Sequence, residues 1–196
     1  QKILVIPVEF SDYPASELKG GKEGATTYIH NAFFGKSSST YFTSVAAYYN
    51  CSSYGQLEIQ GKVTPWYTYP QSFEELNQSS KSNVKSQAIL ESAVEWYRNN
   101  FSDIQDFDQN RDDYIDAVYL IPSVPANIEK RANTLFWAHT YESTSTIHYE
   151  EKPYGRLYSW VNYSFLFQNH TSLPDTHVLI HETGHLLGLK DYYSED

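Results

Sequence analysis

Two apolar runs rich in β-branched residues flank a long segment of helical periodicity, and that order does most to limit what this chain can fold into. The first run, Lys2 to Phe10 (KILVIPVEF), is bounded by Ser11, Asp12 and Pro14, and the second, Tyr114 to Ile121 (YIDAVYLI), by Pro122 and Pro125. Both read as buried strands followed by turns. Between them Val84, Ala88, Ile89, Ala93, Val94, Trp96 and Tyr97 recur at intervals of three and four, which predicts a helix over Asn83–Asn100. Leu57–Val63 alternates as a strand does, Leu135–Ala138 and Tyr158–Phe167 are further predicted strands, and Tyr41–Asn50 carries helical spacing. Gln71–Ser82, rich in Ser, Gln and Asn, reads as a surface connector. A last helix is predicted from near Pro174, with Ser172 and Asp175 in capping-box spacing, Pro174 in the first turn and Gly188 at the end. Strands interleaved with two long helices predict an α/β fold. With 196 residues, 40% of them hydrophobic, and no repeat or linker, residues 1–196 are expected to form one domain.

Acidic residues outnumber Lys and Arg by 24 to 14, a formal charge of -10, and no basic stripe interrupts them. This argues against nucleic acid and anionic membranes as partners. The longest strongly apolar stretch, Ile3–Val8, falls far short of the roughly 20 residues of a membrane-spanning helix. The sequence contains no Met, as expected of a processed or excised chain. Its one cysteine, Cys51, excludes an internal disulfide and reads as a small buried side chain. Asn-x-Ser/Thr acceptors begin at Asn50, Asn77, Asn100, Asn162 and Asn169, five among eleven asparagines, a density that predicts a secreted, glycosylated protein.

His181-Glu182-Thr183-Gly184-His185 sets two imidazoles four residues apart, hence on one helical face and one turn apart, close enough to hold one divalent ion. Zinc suits this donor set; iron shares the preference for two imidazoles and a carboxylate when positions stay open. Glu182 follows the first ligand directly, so its carboxylate can lie beside an open coordination position and act as general base on a zinc-bound water. A catalytic zinc needs a third protein ligand. Gly188 lets the backbone turn sharply, so that Asp191, six residues after His185, can return to the ion; Glu195, Asp196 or a downstream residue are the alternatives. His177 lies one turn before His181, but eight residues separate it from His185, about 12 Å along the axis, too far to share the ion.

HETGHLLGLKDYY resembles the end of the catalytic domain in the immune inhibitor A family of secreted, metzincin-like metallopeptidases. VIPVEFSD, YYNCSSYGQLEIQGKVTPWY, DFDQNRDDYIDAVYLI and the Trp137-Ala138-His139 triplet are similar to that family in the same order. The resemblance spans most of the chain and implies a twisted mixed sheet with a backing helix and an active-site helix. It also implies zinc endopeptidase activity on polypeptide substrates, with His181 and His185 as ligands, Glu182 as base and Asp191 as third ligand. Metzincin-like enzymes follow the zinc motif with a lower subdomain that contains a methionine turn. Here five residues follow Asp191 and no Met is present, so the chain is expected to be mainly the upper subdomain. The rival reading is a catalytically silent zinc-binding adhesion or protein-binding module derived from such a peptidase.

Asp108, Asn110, Asp112, Tyr114 and Asp116 place oxygen groups at alternate positions, with the Tyr114 carbonyl among them, as short calcium loops do. Asp113 stands where such loops favour glycine and would need a left-handed backbone. The same residues would equally make an acidic turn leading into the strand at Tyr114. His139, beside Trp137, reads as a packed strand histidine without an assigned role. The chain carries no Gly-rich phosphate loop and no nucleophile elbow, which leaves nucleotide and serine-hydrolase chemistry without support.

Overall fold

The computed structural model describes residues 1–78, 82–130, 133–144, 151–168 and 172–191. In chain order its main elements are β1 (Lys2–Glu9), α1 (Gly21–Phe34), α2 (Val45–Ser52), β2 (Gln60–Val63), β3 (Tyr67–Thr68), α3 (Phe73–Gln78), α4 (Ser82–Asn100), β4 (Tyr114–Ile115), β5 (Val118–Pro122), β6 (His139–Glu142), β7 (Tyr154–Gly155), β8 (Leu157–Trp160) and α5 (His177–Leu186). The predicted α/β class takes the form of a mixed sheet between two helical layers. Its strands run β2-β1-β5-β8-β6, with β3 also pairing β1. All these pairings are parallel except β6 with β8, which is antiparallel and sets His139 opposite Trp160 and Thr140 opposite Ser159.

The continuous apolar run of β1 has its reason in this topology. A central strand covered on both faces needs apolar side chains at every position. Leu4, Ile6 and Val8 pack with Ile89, Leu90, Ala93 and Tyr97 of α4. Ile3 and Val5 turn to the other face, onto Ile29 and Phe33 of α1, Tyr49 of α2 and Leu179 of α5. Each large side chain buried this way stabilises the fold by about 1.5–3 kcal/mol relative to exposure. The active-site helix candidate is thus one wall of a core anchored on β1 and β5.

Several expected elements differ. Gln71–Ser82 is not merely a connector: its described part forms α3, anchored by buried Phe73 and Leu76. The carboxylate of Asp12 accepts the Phe73 and Glu74 amides at 2.7 and 2.9 Å, a cap supplied from outside the segment. The helix α1 was not expected, because Ala25, Ile29, Ala32 and Phe33 give it few apolar anchors among Gly and Thr. Tyr114–Ile121 is two strands broken at Asp116, whose amide donates to the Phe107 carbonyl at 2.9 Å; β4 pairs with β7 in a separate small sheet. Leu135–Ala138 is not a strand, since Thr134–Phe136 form a 3-10 turn capped by Asn133. The strand predicted over Tyr158–Phe167 ends at Trp160, and Tyr163–Phe167 coil as a 3-10 segment. Helical structure within Tyr41–Asn50 starts only at Val45, behind a Ser44 cap.

Two surface expectations are corrected as well. Cys51 is exposed rather than buried. Asn162 is fully buried, with its amide donating to the Val124 and Leu135 carbonyls at 3.0 Å each, so this acceptor has no room for a glycan in the folded chain. Asn50 and Asn100 are exposed, whereas Asn169 lies outside the described residues. Among the described residues no helix is long and apolar enough to cross a membrane.

Candidate metal centre

The helix α5 begins at His177, not near Pro174. The capping box expected of Ser172 and Asp175 is not formed; instead Asp175 Oδ1 accepts the His177 amide at 3.0 Å. At the other end Gly188 has φ +86°, the left-handed conformation that glycine adopts without strain. The Leu189 amide then donates to the Gly184 carbonyl and the Gly188 amide to the His185 carbonyl, both at 2.9 Å. This is the pair of bonds that closes a Schellman turn.

That turn has two chemical consequences. It brings the Leu189 carbonyl to 2.9 Å from His185 Nδ1. A carbonyl can only accept, so Nδ1 carries the proton and Nε2 keeps its lone pair for a metal. It also returns Asp191 to the helix face, with Oδ1 3.3 Å from His185 Nε2 and 3.4 Å from His181 Nε2. The two Nε2 atoms are themselves 3.1 Å apart. The edge of a tetrahedron is about 1.6 times its centre-to-corner distance, so zinc bonds of 2.0–2.2 Å require donors about 3.3–3.5 Å apart. The two edges to Asp191 fall in that range, and the Nε2–Nε2 edge is about 0.2 Å shorter. Among the described residues, His181, His185 and Asp191 are the one group of three or more acidic, His or Cys donors that converges within 4.8 Å. The alternative third ligands, Glu195 and Asp196, lie outside the described residues.

Glu182 sits beside this triangle, 5% exposed, with Oε2 accepting from Thr140 Oγ1 at 2.6 Å. Burial pushes its carboxyl above the usual range; the Thr140 hydroxyl and the imidazoles of His181 and His185 oppose that rise, and Asp191 adds to it. The helix is fixed from below by two phenols. Tyr49 donates to the Ile180 carbonyl at 2.7 Å, and Tyr119 reaches the Leu179 carbonyl and Thr183 Oγ1 at 2.8 Å. A side chain at Gly184 would put Cβ 3.2 Å from the Tyr49 hydroxyl, a tight contact. Burial holds Tyr119 well above the usual phenol range, so it remains a neutral donor.

The centre opens into a cleft lined by Trp137, Ala138, Leu157, Phe165, His177 and Val178 together with the edge strand β6. His177 takes no place in the triangle. Its Nδ1 pairs with the buried carboxylate of Asp175, and its ring stacks on Phe42 at 5.2 Å. His139 packs as expected, stacked on Trp160 with Nδ1 3.2 Å from the Trp137 carbonyl. Thr140, Tyr49 and Tyr119 were not anticipated. Thr140 follows the Trp137-Ala138-His139 triplet, but nothing in the spacing links it to a glutamate 42 positions away.

The acidic loop is built differently. Asp108 accepts the Asp112 and Asp113 amides at 3.1 Å, Asn110 the Asp112 amide at 3.0 Å, Asp112 the Tyr114 amide at 3.0 Å and Asp116 the Gln109 amide at 3.3 Å. Asp113 has the left-handed backbone its position demands, φ +73°, and Arg111 shares it at +61°. These are the bonds of an acidic turn. Neither the protein-family models nor the curated proteins compared with the chain give a match.

Proposed function

We propose that this chain is the catalytic part of a secreted zinc endopeptidase resembling the immune inhibitor A family. One observation carries the reading: two imidazole nitrogens and a carboxylate oxygen lie 3.1–3.4 Å apart at the end of a helix whose own buried glutamate flanks them. His181, His185 and Asp191 would hold the ion. When bound, zinc supplies Lewis acidity and lowers the pKa of its water to about 7. Glu182, with Oε2 tied to Thr140, has Oε1 left to take a proton from the attacking water and deliver it to the leaving amine. The strand β6 ends the sheet order, and its outer edge is suited to pair with an extended polypeptide, which favours a peptide chain as substrate.

The test combines metal content with casein hydrolysis, with and without a chelator. Glu182→Ala is expected to retain zinc and to lose about 10²–10⁴-fold in hydrolysis. Cleavage by that variant at the parent rate, contamination excluded, overturns the mechanism. Stoichiometric zinc in the parent without chelator-sensitive proteolysis would instead identify a silent binding module.

A further inference from the structure

Three hydroxyls stand in one row across the sheet beneath α5. Tyr119 of β5 is in register with Ser159 of β8, and Ser159 with Thr140 of β6. Residues in register on adjacent strands share a face and lie within side-chain reach. That face is the one α5 covers, since Tyr119 meets Leu179 and Thr183 there. Tyr119 and Ser159 are fully buried. Ser159 Oγ lies 2.7 Å from Thr140 Oγ1, and Thr140 Oγ1 lies 2.6 Å from Glu182 Oε2, while the Tyr119 hydroxyl donates to the Leu179 carbonyl at 2.8 Å. A carboxylate oxygen can only accept, so the Thr140 proton points to Glu182. Thr140 is then left to accept from Ser159, whose register neighbour Tyr119 gives its own proton to the Leu179 carbonyl.

Hydroxyls on central strands are costly unless hydrogen-bonded, and neighbouring positions of this face are apolar: Ala117, Ile121, Ile3 and Val5. Packing alone gives no reason for a polar row at this one level. We infer that the hydrogen-bonded pair Ser159–Thr140 is a positioning device for Glu182, clamping Oε2 so that Oε1 is presented to a water at the candidate metal site. The inference rests on the peptidase reading of the site, and Thr140 is the positioning residue in contact with the base. A preorganised base loses less orientational freedom at the moment of proton transfer.

The experiment compares Thr140→Val, which keeps the shape and removes the O–H, with Thr140→Ser, which restores it. For Thr140→Val, kcat on a peptide substrate is expected to fall about 10–100-fold, the usual effect of losing an outer hydrogen-bond partner, with KM and zinc content unchanged. Thr140→Ser recovers most of the loss. An unchanged kcat in zinc-loaded Thr140→Val overturns the proposal. Ser159→Ala provides a second reading should Thr140→Val fold poorly, with a smaller fall in kcat expected and an unchanged kcat counting against the pair. A measurement independent of activity separates this idea from the peptidase reading: urea unfolding of Thr140→Val, Glu182→Ala and the double variant. Non-additive stabilities support the contact even if the parent proves inactive, whereas strict additivity rejects it.

Discussion

The candidate metal centre on α5 and the acidic loop at Asp108–Asp116 start from the same kind of sequence evidence, donor side chains at fixed spacing, yet their backbones differ. In the helix the amides are already bonded to carbonyls one turn back, so His181 and His185 have their ring nitrogens available and converge at 3.1 Å. In the loop the amides have no such partners, and the carboxylates of Asp108, Asp112 and Asp116 accept them. A side chain on a self-satisfied backbone keeps all its lone pairs for a ligand, while one on an open backbone also builds a turn.

The contrast can be broken most directly by zinc titration. His185→Ala is expected to lower zinc affinity by more than the roughly 10–100-fold typical of an outer-partner loss, and Asp112→Ala to leave it unchanged. Equal effects in a competition assay with a chromophoric chelator would erase the distinction. Next in size is Gly188→Ala. Nothing lies within 4 Å of the added Cβ, so the cost is the left-handed backbone alone, about 1–2 kcal/mol. Calorimetry should show a drop of a few degrees in Tm, accompanied by weaker zinc binding because the turn carries Asp191. Asp108→Ala tests the other side: it removes the acceptor of the Asp113 amide and one of the two acceptors of the Asp112 amide, and should cost about 0.5–1.5 kcal/mol in urea unfolding while zinc affinity holds.

The smallest effect is a baseline common to both regions. Burial, only partly offset by the Ser86 hydrogen bond, pushes the Tyr158 phenol up to about 12. The unfolded phenol ionises first, near pH 10. Its contribution to stability is therefore complete below about pH 10 and is lost as the pH rises towards 12. Parent, Asp108→Ala and Gly188→Ala should share this alkaline limb in pH-dependent unfolding, and Tyr158→Phe should make it shallower, with the buried phenols of Tyr49 and Tyr119 supplying part of what remains. A limb that differed between the loop and helix variants would tie Tyr158 to one of the two regions.

Much of this arrangement is legible without coordinates. The buried strand at Lys2–Glu9, the helix over Ser82–Asn100 and the motif helix ended by Gly188 all depend on neighbours within a few positions. The same holds for the left-handed Asp113, a local requirement of its turn. What was misread is short or anchored from afar. The helix α3 has two apolar anchors and a cap from Asp12, and the stretch beginning at Tyr158 leaves its strand after Trp160. The capping box at Ser172 fails because Asp175 turns to His177.

The sequence by itself determined that two imidazoles and a glutamate share one helical turn, since a 3.6-residue period and a left-handed glycine are properties of the chain within reach of itself. Only the tertiary structure decided that Leu189 selects the His185 tautomer and that Thr140 grips Glu182. Those contacts depend on strand register and on the path of a turn, which bring together groups that spacing along the chain does not relate.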